Sequence, residues 1–216
     1  MDIRVRTDER VFIAGKTGSG KTFLAEKLLS DYPFVIVLDN KGFFGTDKDS
    51  RQFYLAAKGY GLCRSLDELP DYARRYNKIV YRPDPALEAN KTAFEEEMDA
   101  FFWWIYNREN TILYVDEATA VCDSYNILSG HNAIMKRGRE KNVGCWNSSQ
   151  QPVNVHNTLL SEAEHYFIFE TRLQSHRDKL AGFIGEEVQN PIGKKHHFYY
   201  FSPDNMERAI LMKPIK

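Results

Sequence analysis

Three observations predict an α/β fold with a mostly parallel central sheet, helices on both faces and a C-terminal β-hairpin. Short apolar runs of strand length alternate with amphipathic stretches along most of the chain. Those runs are apolar throughout, as in strands covered on both faces. The first of them feeds directly into a glycine-rich turn and then a helix. A chain of 216 residues holds one sizeable domain, and no repeat, low-complexity tract or Pro/Gly/Ser linker divides residues 1–216. In such sheets the ligand belongs beyond the C-terminal ends of the strands.

The elements follow in order. Val11–Ala14 is the first strand, and Thr22–Ser30 a helix with Phe23, Leu24, Leu28 and Leu29 at helical spacing. Phe34–Leu38 is a second strand ending at Asp39, and a looser, glycine-containing region runs from Lys41 to Tyr76. Ile79–Tyr81 is a strand closed by Pro83 and Pro85. Phe94, Met98, Phe101, Phe102 and Ile105 mark an amphipathic helix between Ala93 and Asn107. Ile112–Val115 is the next strand, and Ser124–Lys141 a helix with a basic last turn. Val143–Ser148 and Tyr166–Phe169 are further strands. His197–Phe201 pairs with Ala209–Met212 across Ser202–Asn205 as the hairpin.

With 29 basic and 30 acidic residues the formal charge is −1, so a nucleic-acid partner would need a local basic surface. Cys63, Cys122 and Cys145 are scattered and lack CxxC spacing, which points to reduced thiols without a zinc site. The start, Met1-Asp2-Ile3-Arg4-Val5-Arg6, has no long apolar run and therefore no signal peptide. No stretch is long enough to span a membrane, and the expected location is the cytoplasm.

Gly15-Lys16-Thr17-Gly18-Ser19-Gly20-Lys21-Thr22 fits G-x-x-x-x-G-K-[ST] in full, between an apolar strand and an amphipathic helix. The glycines let the backbone wrap around phosphates with its N–H groups turned inward. Lys21 brings a mobile charge to the β- and γ-phosphates, and Thr22 offers its hydroxyl to Mg²⁺ at a helix start whose dipole favours anions. The expected nucleotide is ATP, contacted by Gly15 to Thr22 and by Phe23. The chain therefore reads as a P-loop NTPase.

Asp116 and Glu117 close the strand that starts at Ile112. Asp116 suits Mg²⁺ and Glu117 suits the base that orients or deprotonates the attacking water. The run Gly144 to Pro152 is a strand ending in hydroxyls and amides, from which Gln150 could touch both the γ-phosphate and that water; a capped loop before Pro152 is the plainer alternative.

Four stretches resemble the HerA–FtsK branch of P-loop ATPases, which carry an additional strand and a catalytic glutamate. They are the phosphate loop, Val35–Gly42, the Asp116-Glu117 pair, and Gly138–Gly144 leading into Ser149-Gln150-Gln151-Pro152. That last strand in the family typically ends in Thr-Gln-Arg-Pro, from which Ser149 and Gln151 depart. A single-domain chain of this length resembles the genome-packaging ATPases of tailless icosahedral viruses with an internal membrane. The resemblance implies a RecA-like (ASCE) sheet and a ring, pentameric or hexameric, that pumps double-stranded DNA. It also implies a capsid vertex or membrane protein as a partner, and host cytoplasm or virion as the location.

The functional reading of the arginines is a finger inserted into a neighbour's ATP site. Arg139, in the family-like Gly-Arg position, is the first candidate, with Arg137, Arg172 and Arg177 competing; a helix C-terminus also favours cations for dipole reasons alone. Phe101-Phe102-Trp103-Trp104 surrounds a helix, so at least one tryptophan must meet another element or a subunit. Lys194-Lys195-His196-His197 is either a phosphate-backbone contact or a solvated turn. Two other functions share the phosphate loop: a nucleotide-gated assembly or secretion ATPase without DNA, and a small-molecule kinase. A glutamate directly after the metal-binding aspartate favours hydrolysis over transfer.

Overall fold

The apolar runs pair side by side in the computed structural model, which describes residues 3–47, 50 and 52–215. Met1 and Asp2 of the N-terminal reading, and Lys48, Asp49 and Arg51 of the looser region, lie outside that range. Strands β1 (Arg10–Ala14) and β2 (Val35–Asp39) flank helix α1 (Lys21–Leu29) in the chain. Then come β3 (Tyr60–Cys63), α2 (Leu69–Arg75), β4 (Lys78–Tyr81), α3 (Lys91–Tyr106) and β5 (Thr111–Asp116). The remainder is α4 (Ser129–Arg137), β6 (Val143–Ser149), α5 (Asn157–Ser161), β7 (His165–Phe169), α6 (Gln174–Ile184), β8 (Phe198–Phe201) and β9 (Ile210–Met212). Among the described residues these strands form one sheet in the order β3-β4-β2-β5-β6-β1-β7-β8-β9. Pairing is parallel from β3 through β7 and antiparallel at β8 and β9. The predicted mostly parallel sheet with a terminal hairpin is the observed one.

Every residue of β1, β2, β5, β6 and β7 is buried, because each faces a layer on both sides. On one side Phe12, Ile36, Leu113 and Cys145 meet α3 through Phe94, Met98, Phe101 and Phe102, with α4 and α6 beside it. On the other, Val11, Ile13, Val37 and Trp146 meet α1 through Leu24, Ala25 and Leu29, together with Phe44 and Leu55. Trp103 answers the packing question posed by the aromatic run. Its indole N–H donates to Ser129 Oγ at 2.9 Å, at the start of α4.

Several boundaries differ from expectation. The helix expected over Ser124–Lys141 begins only at Ser129, since the N–H groups of Tyr125 and Asn126 donate to Asp123 Oδ1 and form a turn. It tightens into a 3₁₀ turn over Gly138–Lys141, ending at Asn142 in the left-handed region at φ 55°. A Cβ on Gly138 would lie 2.3 Å from the Val143 carbonyl oxygen, so only glycine permits this close return into β6. The looser region from Lys41 to Tyr76 contains β3 and α2.

His131 on α4 is fully buried, stacked on Phe102 at 4.4 Å with Nε2 against Asn147 Oδ1 at 2.9 Å. Burial pushes its pKa down from 6.5 to about 4. Between those values the unfolded chain binds a proton that the folded chain refuses, so stability rises with pH across the window and levels off above it. We expect about 3 kcal/mol from this group. Urea melts from pH 4 to 7 should lose most of that slope in His131→Gln; an unchanged slope would assign the dependence elsewhere.

Candidate active site

At the C-terminal ends of the strands lies a cleft of about 980 Å³, bordered by Thr17, Lys21, Thr22, Lys41, Asp116 and Glu117. Its floor is the phosphate loop. Gly15 N–H donates to Ser149 O at 3.1 Å and Lys16 N–H to Glu170 O at 2.9 Å, so the loop leaves the sheet anchored to both neighbouring strands. Gly15 and Gly20 both have positive φ, and a Cβ on Gly15 would fall 2.6 Å from the Cβ of Phe169. Lys21 folds back on the loop, donating to Gly15 O at 2.8 Å. Burial lowers its pKa, against the pull of Glu117 and Asp116. Ser19 Oγ is buried with no partner, which fits a loop built to receive an oxyanion. Phe23 is exposed at the cleft margin.

Opposite the loop stand the two acids. Both hydrogen bonds described for the Asp116 carboxylate fall on Oδ1, from Tyr114 OH and Ser148 Oγ, each at 3.1 Å. Burial raises its pKa, and the neighbouring Asp39 adds to the rise. Glu117 has φ 72°, left-handed for a residue with a Cβ, and its N–H donates to Ser148 Oγ at 3.2 Å. Its Oε1 accepts from Thr119 Oγ1 at 2.8 Å, Ser149 Oγ at 3.1 Å and the Gln150 N–H at 3.1 Å. Its Oε2 accepts from Lys41 Nζ at 2.9 Å. Burial alone would raise the Glu117 pKa, but Lys41, Thr119 and the Gln150 amide outweigh it, and the net shift is downward.

The hard oxygen donors suit Mg²⁺. Among the described residues no cluster of three His, Cys, Asp or Glu side chains could hold a metal alone. Asp116, the Thr22 hydroxyl and substrate phosphates would share it, as Mg²⁺ usually requires.

Gln150 lines the same cleft. Its side-chain Oε1 accepts from Thr17 Oγ1 at 2.7 Å, so the side chain caps the phosphate loop while the backbone N–H holds Glu117. Arg139 and Arg137 lie at the opposite end of the sheet, beside a hollow of about 840 Å³. Arg139 pairs with Glu164 and, at 3.5 Å, with Asp8; the Arg137 guanidinium lies over the Tyr106 ring at 5.6 Å. Arg172 is exposed just past β7, at the loop end of the sheet, with no ion-pair partner among the described residues. The sequence gives no individual role to Ser148 or Lys41, and marks His196 only as part of the Lys194–His197 run. The Nδ1 of His196 contacts Ser19 O at 3.0 Å, bringing the Lys194–His197 run onto the phosphate loop.

The phosphate loop and the two acids face one another across the cleft, with the end of β6 between them. Along its full length the chain is 25% identical, over 230 residues, to the DNA packaging ATPase P9 of Enterobacteria phage PRD1, of which it covers 91%. The chain is related to the genome-packaging ATPases. The genome packaging NTPase B204 of Sulfolobus turreted icosahedral virus 2, solved with AMP, shares the fold. It has a TM-score of 0.72 at 18% identity, over 98% of this chain and 100% of that one. EssC ATPases 2 and 3 from Geobacillus thermodenitrificans align at a TM-score of 0.53 and 11% identity, over 94% of this chain and 39% of theirs. No protein-family model matches the chain.

In this ATPase a single hydroxyl, that of Ser148, serves both acids. Ser148→Ala should lower kcat roughly tenfold, the order expected for losing a hydrogen bond to a charged group, with ATP affinity within about twofold of wild type. A kcat equal to wild type in steady-state assays would mean that Ser148 only fills space.

Proposed function

We propose that this ATPase is the motor of viral genome packaging, hydrolysing Mg-ATP to translocate double-stranded DNA. The observation that carries the DNA reading is the end-to-end relation to the phage P9 packaging ATPase, which spans 100% of this chain. The catalytic roles rest on the cleft. Lys21 binds the β- and γ-phosphates, and Thr22 and Asp116 hold Mg²⁺, which when bound withdraws charge from the phosphates. Glu117 takes the proton of the attacking water. Its carboxylate has charge to accept that proton because its pKa is held down.

The working form in this proposal is a ring of five or six copies, in which an arginine from one copy meets the phosphates of the next. Arg139 would have to leave Glu164 and Asp8 to do so, and Arg137 its place over Tyr106, whereas Arg172 is already exposed at the loop end. A capsid vertex or membrane protein would anchor the ring.

DNA decides between this function and a DNA-independent assembly ATPase. ATP turnover measured with and without double-stranded DNA across a salt series should show stimulation that falls steeply as salt rises. Turnover indifferent to DNA at every salt concentration would favour the assembly function.

A further inference from the structure

The turn after β2 is built to place one ammonium group on the catalytic carboxylate. Asp39 at the strand end is fully buried and accepts from Phe43 N–H at 3.2 Å and Phe44 N–H at 3.1 Å. Arg82 binds the same carboxylate at 2.7 Å. On α1, the helix that begins in the phosphate loop, Glu26 Oε1 accepts from the Gly45 N–H at 2.8 Å. Residues 39–45 are thereby fastened both to the sheet and to the phosphate-binding helix. Lys41, inside this turn, has a half-exposed side chain that borders the cleft, with its Nζ 2.9 Å from Glu117 Oε2.

The two oxygens of Glu117 are held differently. Oε1 takes three hydrogen bonds from Thr119, Ser149 and Gln150, which fix the orientation of the carboxylate without Lys41. Oε2 takes only Lys41 among the described residues. Lys41 is therefore unnecessary for positioning Glu117, and what it does is occupy the oxygen that a base would use. Within the cleft Lys21 and Lys41 face Asp116 and Glu117, and the lining also carries Glu26, Asp47 and Arg82. A terminal phosphate bearing about two negative charges at neutral pH outcompetes one carboxylate for a flexible ammonium.

We propose that Lys41 exchanges partners when a nucleoside triphosphate binds, leaving Glu117 Oε2 for the γ-phosphate. The exchange uncaps the base only when a phosphate is present to be cleaved, and it supplies a second cation within the same subunit. The proposal rests on Glu117 and the phosphate loop sharing one nucleotide site, but not on Glu117 being the base.

Binding of a non-hydrolysable ATP analogue and of ADP, measured by calorimetry on the full chain, tests the exchange. Lys41→Met should weaken the analogue by about tenfold or more and ADP by less than about twofold, since ADP lacks the phosphate that recruits Lys41. Lys41→Arg should restore most of the difference. Glu117→Gln frees the ammonium and should tighten the analogue, and that gain should vanish in the Lys41→Met/Glu117→Gln double variant. Equal losses of both nucleotides in Lys41→Met, or a Glu117→Gln effect independent of Lys41, would overturn the proposal. If Glu117→Gln hydrolyses ATP normally while this coupling persists, the base assignment fails and the exchange stands.

Discussion

Strand β6 lies between the strand that carries the phosphate loop and the strand that carries the acids, and its end is polar. Its register sets Ser149 beside Ala14 of β1 and Asn147 beside Val115 of β5. Two consecutive residues, Ser149 and Gln150, then join the two halves of the site, and Ser148 before them ties the acidic pair together. Ser148 bonds to both acids, Ser149 bonds to Glu117 through its hydroxyl and to Gly15 through its carbonyl, and Gln150 bonds to Glu117 through its N–H and to Thr17 through its side chain. A sheet in which β1 and β5 were direct neighbours would have no strand end in this position. Burying carboxylates next to a buried lysine is unfavourable unless each is hydrogen-bonded and charge-matched, and among the described residues Ser148, Ser149 and Gln150 supply three of the six hydrogen bonds to the two carboxylates.

Glu117 shows how firmly the position is determined. A left-handed φ on a residue with a Cβ costs on the order of 1–3 kcal/mol and persists only where the surroundings hold it. Its backbone N–H and both carboxylate oxygens are engaged by five different residues. The strained backbone turns the side chain away from the β5 direction and toward the loop, while Asp116, one residue earlier, remains on the strand beside Asp39. Two adjacent acids thus acquire different surroundings. Burial and a like charge raise one pKa, while hydrogen bonds and Lys41 lower the other.

Motifs with fixed local spacing were legible in the sequence. The phosphate loop, the Asp116-Glu117 strand end, the mostly parallel order and the terminal hairpin all follow from contiguous residues and their periodicity. Elements with thin apolar stripes were not. In α6 only His176, Leu180 and Ile184 are buried, one residue per turn. Strand β3 contains Gly61, whose missing side chain makes room for the Tyr76 ring, so a packing requirement reads as a loop signal. Lys41 was visible only as one residue of a family-like stretch. Its role depends on a 2.9 Å contact across 76 residues of sequence, which no local pattern encodes. Arg139 carried a positional argument, yet three-dimensional pairing ties it to Glu164 and Asp8 at the far end of the sheet.

In the proposed mechanism the end of β6 holds Glu117 as the group that activates water. Single-turnover hydrolysis of pre-bound ATP by Glu117→Gln tests this directly, because pre-loading separates chemistry from binding and product release. Cleavage should slow by roughly 10²–10⁴-fold with ATP still bound. Cleavage within a few-fold of wild type would contradict it and move the base to another residue of the cleft.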